Sequence, residues 1–483
     1  MVDLLLKNGL IRTLDPARPL ARSVACADGR VAALDEDPPA ARVVDLQGAT
    51  AVPGLVDAHV HLLWLGRRRL ELDLAGVRDG VELLRRVAQR ARTLPPGAWL
   101  RGGGHELREP PPARELSEAA GGRPVWLLRR DLHSGLASTR ALELAGPALA
   151  GAPAGTVRAG GTLLVEEAAA LMERVAPRPG AREAFLTAQK EALAAGLTAV
   201  HEAWVDEESL ADLRGMDADG GLRLRVHAMV HDGDPARLAA FLRANKPTAG
   251  KRLVVRAAKL FLDGSLGSRT CWTSDPPLGG PRLSDAAFSE VARAALAGGW
   301  QLCVHAIGDL AVRQALGVYE RLAPPPELRW RIEHLQHVHP SDFPRLPRWL
   351  CSIQPGHCAD DLAAARGALC AALAEGTHAW RRMGRLVLGT DAPVAPLDPR
   401  RTFHGAVTGG GRPETALRPE EALRAMSADA SWAGFSEAGI LAPARPADLT
   451  VLERDWLECR PDEVLAGRVL GTVIDGVVEW EAE

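Results

Sequence analysis

The chain has 483 residues, more than a single core usually organises, so two structural units or one large barrel with additions are expected. Its 47% hydrophobic and 25% charged residues are those of an ordinary globular protein, and a net charge of -3 argues against nucleic-acid or membrane-surface partners. No uncharged apolar run approaches the roughly 18 residues of a membrane span, Met1–Lys7 lacks a secretory leader pattern, and seven scattered cysteines with no Cys-x-x-Cys suit reduced thiols in a cytoplasm.

In chain order, residues 1 to about 54 predict short strands at Asp3–Lys7, Leu10–Thr13, Ser23–Cys26, Arg30–Leu34 and Arg42–Asp45, punctuated by Asn8-Gly9 and Asp28-Gly29. Then apolar strands alternate with Ala/Leu/Arg-rich helices. Eight strand candidates stand out: Leu55–Leu62, Leu197–Trp204, Leu222–Val230, Leu253–Leu262, Gln301–His305, Leu328–His334, Cys351–Pro355 and Leu386–Thr390. Helices are expected at Ala181–Ala195 and Ser289–Ala297. Eight βα units predict an α/β fold, a (β/α)8 TIM-type barrel, with its active site at the C-terminal strand ends. Residues of about 66–180 are too long for a βα loop and read as a subdomain inserted after the first barrel strand. It has strands near Trp99–Gly102 and Val125–Arg129 and helices near Val81–Thr93 and Ser138–Ala145. The chain closes on strands at Ala447–Leu452, Val469–Ile474 and Val477–Trp480, so residues 1–54 and 437–483 predict a small β-sandwich built from both termini beside a barrel over 55–436.

The chemistry gathers at the strand ends. His59 and His61 are two apart on one strand, so both side chains aim at one point and can hold a divalent metal. His305 and His334 end the fifth and sixth candidates, and Asp391 follows the eighth. Lys259 lies inside the most apolar part of the fourth. Burial pushes such an amine towards its neutral form, which can take up carbon dioxide as a metal-bridging carbamate; an ion pair with Asp263 is the alternative.

Seven stretches carry a resemblance: Pro53–Leu62, Lys259–Thr270, His305–Asp309, Arg331–Gln336, Ser352–His357, Gly389–Pro399 and Ala447–Leu452. Together the chain resembles the amidohydrolase superfamily of metal-dependent hydrolases, in its amidohydrolase-3 group. The resemblance implies metal ligation by His59, His61, His305, His334 and Asp391, with carboxylated Lys259 bridging, and one or two divalent ions, zinc first. It also implies substrate-facing motifs containing His133, Gln354 and His357, and Asp309 is a further candidate whose alternative is a solvated loop carboxylate. Where relatives often carry Gly-Trp, this chain has Gly102-Gly103-Gly104-His105-Glu106, with His105 and Glu106 read as loop residues.

The expected reaction is hydrolysis of a C–N bond in a small-molecule amide, N-formyl or N-acyl amine by a metal-activated hydroxide, with Asp391 moving the proton. Deamination and ester or lactone hydrolysis are the alternatives on the same scaffold. A deaminase of this superfamily would lack the bridging lysine and carry a glutamate near Asp309. A non-catalytic relative would have lost ligand positions, and all six are filled. A small-molecule substrate and no membrane or nucleic acid are the expected partners, with a homodimer the candidate assembly.

Overall fold

Eight parallel strands form one sheet that nearly closes into a barrel: Leu55–Val60, Leu197–Val205, Arg225–Val230, Leu253–Phe261, Gln301–Ala306, Arg331–His334, Leu350–Ile353 and Arg385–Leu388. The computed structural model describes residues 1–129, 134–153, 156–158 and 162–483. Each strand pairs in parallel with the next, and the apolar runs explain why: strands such as Leu55–Val60 and Gln301–Ala306 are buried at every position, as a sheet covered on both faces requires. The last strand reaches the first through the backbone. Asp391 N donates to His59 O at 2.8 Å and His61 N to Ala392 O at 2.8 Å. Gly389 permits this approach, because a Cβ there would stand 2.4 Å from the backbone nitrogen of His59.

The TIM-type expectation therefore holds, with shifted boundaries. The sixth strand begins at Arg331 because Pro324-Pro325-Pro326 forces a 3-10 turn over Pro326–Leu328. The seventh ends at Ile353, since Pro355 opens another such turn over Pro355–His357.

By packing, the chain forms two units, Met1–Leu62 with Gln189–Glu483, and Leu63–Ala188. Besides the barrel and a two-stranded ribbon of Thr273–Ser274 with Pro277–Leu278, the first unit holds two larger sheets. One has four strands, ordered Arg30–Leu34, Val24–Ala27, Val2–Lys7, Ala40–Asp45. The other has six, ordered Val477–Glu481, Val469–Ile474, Leu449–Leu452, Thr50–Pro53, Leu10–Arg12, Leu20–Ala21. Both ends of the chain meet here, as Leu449–Leu452 runs antiparallel to Thr50–Pro53. Leu4, Leu6 and Val24 of one sheet share a core with Ile11, Ala51 and Leu449 of the other.

The second unit has its own six-stranded sheet, in which Leu100–His105 pairs in parallel with Val125–Arg129. Helix Gly80–Ala91 packs on it through Leu83, Val87 and Ala91, and starts where Asp79 accepts from Glu82 N. His105 is the last residue of a strand and is buried, so its reading as a loop residue is corrected: the strand runs three residues past Gly102. Among the described residues, no helix is long and apolar enough to cross a membrane, and all seven cysteines are free thiols.

Candidate metal centre

His59, His334 and Asp391 come together at the C-terminal end of the barrel, each offering a ligand atom within 4.8 Å of the others. His61 joins them, its Nε2 3.4 Å from Asp391 Oδ1, while His59 Nε2 lies 3.6 Å from the same oxygen. The His305 ring centroid is 4.4 Å from that of His334, but its Nε2 hydrogen-bonds the carbonyl of Gly264 at 3.1 Å. His334 and Asp391 both hold positive φ, +72° and +61°. Non-glycine residues in that region are costly and collect at functional sites.

The donor set suits a divalent transition metal. Burial above all lowers the pKa of His59, His61, His305 and His334, which favours the neutral imidazole, the form that ligates. His59 Nε2 and Asp391 Oδ1 are buried without a hydrogen-bond partner. So is Nζ of Lys259, on a fully buried side chain whose pKa burial also lowers. Orphaned buried polar atoms are costly unless something satisfies them. Three of them on one cluster fit a cation held by His59, His61, His334 and Asp391, with His305 and Lys259 beside it.

Lys259 makes no ion pair with Asp263. That carboxylate accepts from Ile307 N at 3.0 Å, Gly308 N at 2.8 Å and Trp272 N at 2.9 Å, and stands 3.4 Å from His305 Nε2. Burial pushes Asp263 up to about 6.

Of the substrate-facing candidates, His357 lies beside the cluster, its Nε2 3.0 Å from Thr390 O and its charge felt by Asp391. Gln354 is buried at the turn preceding it, its Nε2 without a partner. Asp309 is buried rather than solvated, because it opens helix Asp309–Leu322 and its Oδ1 accepts from Ser274 N at 2.9 Å. His133 lies outside the described residues.

Three residues that support the cluster escape sequence reasoning. Glu333 accepts from His59 Nδ1 at 2.7 Å, which favours the tautomer with Nε2 unprotonated and able to ligate. Burial pushes Glu333 up, but Arg331, then His59 and Lys259, outweigh it and hold the carboxyl well below its usual range. Arg331 donates from Nε to Glu333 Oε1 at 2.5 Å and reaches Ser352 Oγ at 3.2 Å. Asp57 accepts from His59 N at 3.1 Å and from Thr390 N at 3.0 Å and Oγ1 at 2.5 Å, tying the first strand to the turn that carries Asp391. The available signal was spacing: Arg331 and Glu333, like Asp57 and His59, are two apart on fully buried strands and share a face.

The polar network continues below the cluster. Arg331 meets His201 Nδ1 at 2.9 Å, the rings of His201 and His227 lie 5.0 Å apart, and His227 Nε2 donates to Gln301 Oε1 at 2.9 Å. Burial pushes His227 down to about 3. Below about pH 6.5 the unfolded chain takes up a proton that the folded one refuses, so stability falls with acidification between about pH 6.5 and 3. Buried Asp57, pushed up to about 7, has the opposite sign, so a comparison with one variant isolates the histidine. Urea unfolding of His227→Gln should lose less stability than the wild type from pH 6.5 to 5, by roughly 1.4 kcal/mol per pH unit. A difference that does not change with pH would mean that His227 protonates inside the fold.

A wide cleft in the second unit, about 1200 Å³, is lined by Arg78, Asp79, Glu106, Arg108, Glu109 and Arg129. Its lining is charged and holds none of the clustered histidines.

Comparison with known proteins agrees with this geometry. The sequence model of the amidohydrolase family matches residues 42–478. Protein LONG AFTER FAR-RED 3 of Arabidopsis thaliana is 29% identical, over 99% of this chain and 91% of its own. An N-substituted formamide deformylase of Arthrobacter pascens is 28% identical, over 100% of this chain and 99% of its own. An uncharacterized metal-dependent hydrolase from Pyrococcus furiosus has a TM-score of 0.82 at 25% identity, covering 94% of this chain and all of that one. Another, from Pyrococcus horikoshii, shares the fold with a TM-score of 0.83 at 24% identity, covering 95% and 99%. With eight parallel strands placing neutral imidazoles and a carboxylate at one end of a barrel, the chain belongs to the amidohydrolase family of metal-dependent hydrolases.

Proposed function

We propose that this enzyme hydrolyses a C–N bond in a small amide, N-formyl or N-acyl amine. The observation that carries the reading is the unsatisfied Asp391 carboxylate within 3.6 Å of two neutral histidine nitrogens at the barrel mouth. The similarity to an N-substituted formamide deformylase supports a C–N bond as the target and makes N-substituted formamides the first substrates to test.

A divalent ion, zinc in first place given imidazole and carboxylate donors, would supply an acidified water and polarise the carbonyl. The rest falls to the chain. Asp391, whose pKa burial raises, takes the proton of the attacking water and passes it to the leaving nitrogen. Glu333 keeps His59 in its ligating tautomer, and Asp57 holds Asp391 against the first strand. His357 and Gln354 would orient the substrate carbonyl, and Lys259, once carboxylated, would offer an anionic oxygen ligand to the metal. Its proposed partner is the small-molecule substrate, with neither nucleic acid nor membrane, and a homodimer in the cytoplasm is the proposed setting.

The test is a double variant, His59→Ala with His61→Ala. Metal analysis should find most bound metal gone, and hydrolysis of a panel of formamides, N-acyl amines and lactones should be abolished while circular dichroism stays native. Full turnover by a metal-free double variant would end this mechanism, and turnover of lactones alone by the wild type would move the target to a C–O bond.

A further inference from the structure

The barrel mouth carries a row of rings that the hydrolytic machinery does not use. Trp204 lies near the end of the second strand, His231 just past the third and Phe261 at the end of the fourth. Their centroids follow one another, Trp204 to His231 at 4.0 Å, His231 to Phe261 at 5.4 Å, and Phe261 to the His305 ring at 5.2 Å. Trp204 also meets Phe261 directly at 5.3 Å. The row starts at a residue of the metal cluster and leads along three neighbouring strand ends.

Two features separate it from ordinary core. Trp204 and Phe261 stay partly exposed although they are large rings at the end of the barrel where the chemistry sits. The row is also fixed in place, since His231 Nδ1 donates to Lys259 O at 3.0 Å, which sets the ring against which Trp204 packs. Phe261 is two residues beyond Lys259 on the same strand and so shares its face, with Nζ of Lys259 5.0 Å from the Phe261 centroid. Rigid, partly exposed aromatic surface beside reactive groups is how ligand pockets present apolar recognition.

We propose that Trp204 and Phe261, held by His231, form a specificity wall on which a flat aryl group of the substrate stacks while its amide reaches the metal cluster. This rests on the C–N hydrolysis reading above and adds the substrate class: aryl-bearing amides over saturated ones of equal size. Stacking and edge contacts distinguish an aryl ring from a cyclohexyl ring of the same apolar bulk.

The experiment uses the metal-loaded enzyme and a matched pair, N-(2-phenylethyl)formamide and N-(2-cyclohexylethyl)formamide. Wild type should prefer the phenyl compound by about tenfold in kcat/KM, mostly through KM. Trp204→Leu and Phe261→Leu should bring that ratio close to one, and Trp204→Phe should restore most of it. A wild-type ratio near one, or a ratio unchanged in both leucine variants, would overturn the wall. The wild-type measurement decides even if a leucine variant fails to fold. Calorimetric binding of 2-phenylethylamine against 2-cyclohexylethylamine needs no hydrolysis. If neither formamide is cleaved but the phenyl preference in binding persists and falls in the variants, the C–N reading fails and the wall stands; equal binding of the two amines removes the wall.

Discussion

Asp391→Asn should retain much of the bound metal but lose at least about 10²–10⁴-fold in kcat, the usual worth of a general acid–base group. The substitution is close to a pure charge change. Asparagine has the same shape and tolerates the positive φ that Asp391 adopts, so the hydrogen bond from its backbone to His59 and the turn held by Asp57 should survive. What goes is the carboxylate beside His59 and His61, and with it the site that accepts a proton from water and returns it to nitrogen. The pH profile provides a second, independent reading. Burial raises Asp391, against the opposing pull of His59, His357 and Lys259, so in the wild type activity should fall as acid protonates this group. In the variant that acidic limb of kcat/KM should vanish or move. Near-normal kcat with wild-type metal content and an unchanged limb would reduce Asp391 to a structural carboxylate. Proton transfer would then pass to His357, which lies within electrostatic reach of the same position; Asp309 is already engaged with Ser274.

The fold was legible where local pattern and tertiary role coincide. Val125–Arg129 and Val469–Ile474 lie where apolar runs put them, because alternation and turn residues bound both. The strand Ser134–Ala137 went unread, since Ser-Gly-Leu-Ala has no β-branched or aromatic residue and is a strand only through its neighbours Val125–Arg129 and Leu163–Val165. Helix Leu62–Leu70 was hidden by Arg67-Arg68-Arg69, which blurs its apolar stripe. At the site, the ligand-type residues were legible because each ends or follows an apolar strand. Their supports were not. Glu333 bonds to His59 across 274 residues and Asp57 to Thr390 across 333, and no spacing rule spans such separations. Only closure of the barrel brings them together.

Lys259 should be the most consequential single position after Asp391. Its amine is fully buried with no hydrogen-bond partner, and burial pushes its pKa down. In its neutral form, which burial favours, the amine can attack carbon dioxide: the nitrogen forms a C–N bond, releases one proton, and becomes an anionic carbamate with two acceptor oxygens. Carbamate formation would replace an unsatisfied donor with a ligand, which removes the desolvation cost of the orphaned group. Metal-loaded protein prepared in ¹³C-bicarbonate should therefore show a carbamate carbon by NMR that is absent from Lys259→Ala. The variant should lose metal stoichiometry and most of its kcat, and a small carboxylic acid added with metal should restore part of both, by placing free oxygens where the carbamate stood. If two ions bind, they should lie about 3.5–4 Å apart, as in two-metal sites generally. A metal-replete protein with an unmodified Lys259 amine would instead leave a mononuclear site on His59, His61, His334 and Asp391, with the lysine acting only through its charge on the neighbouring histidines.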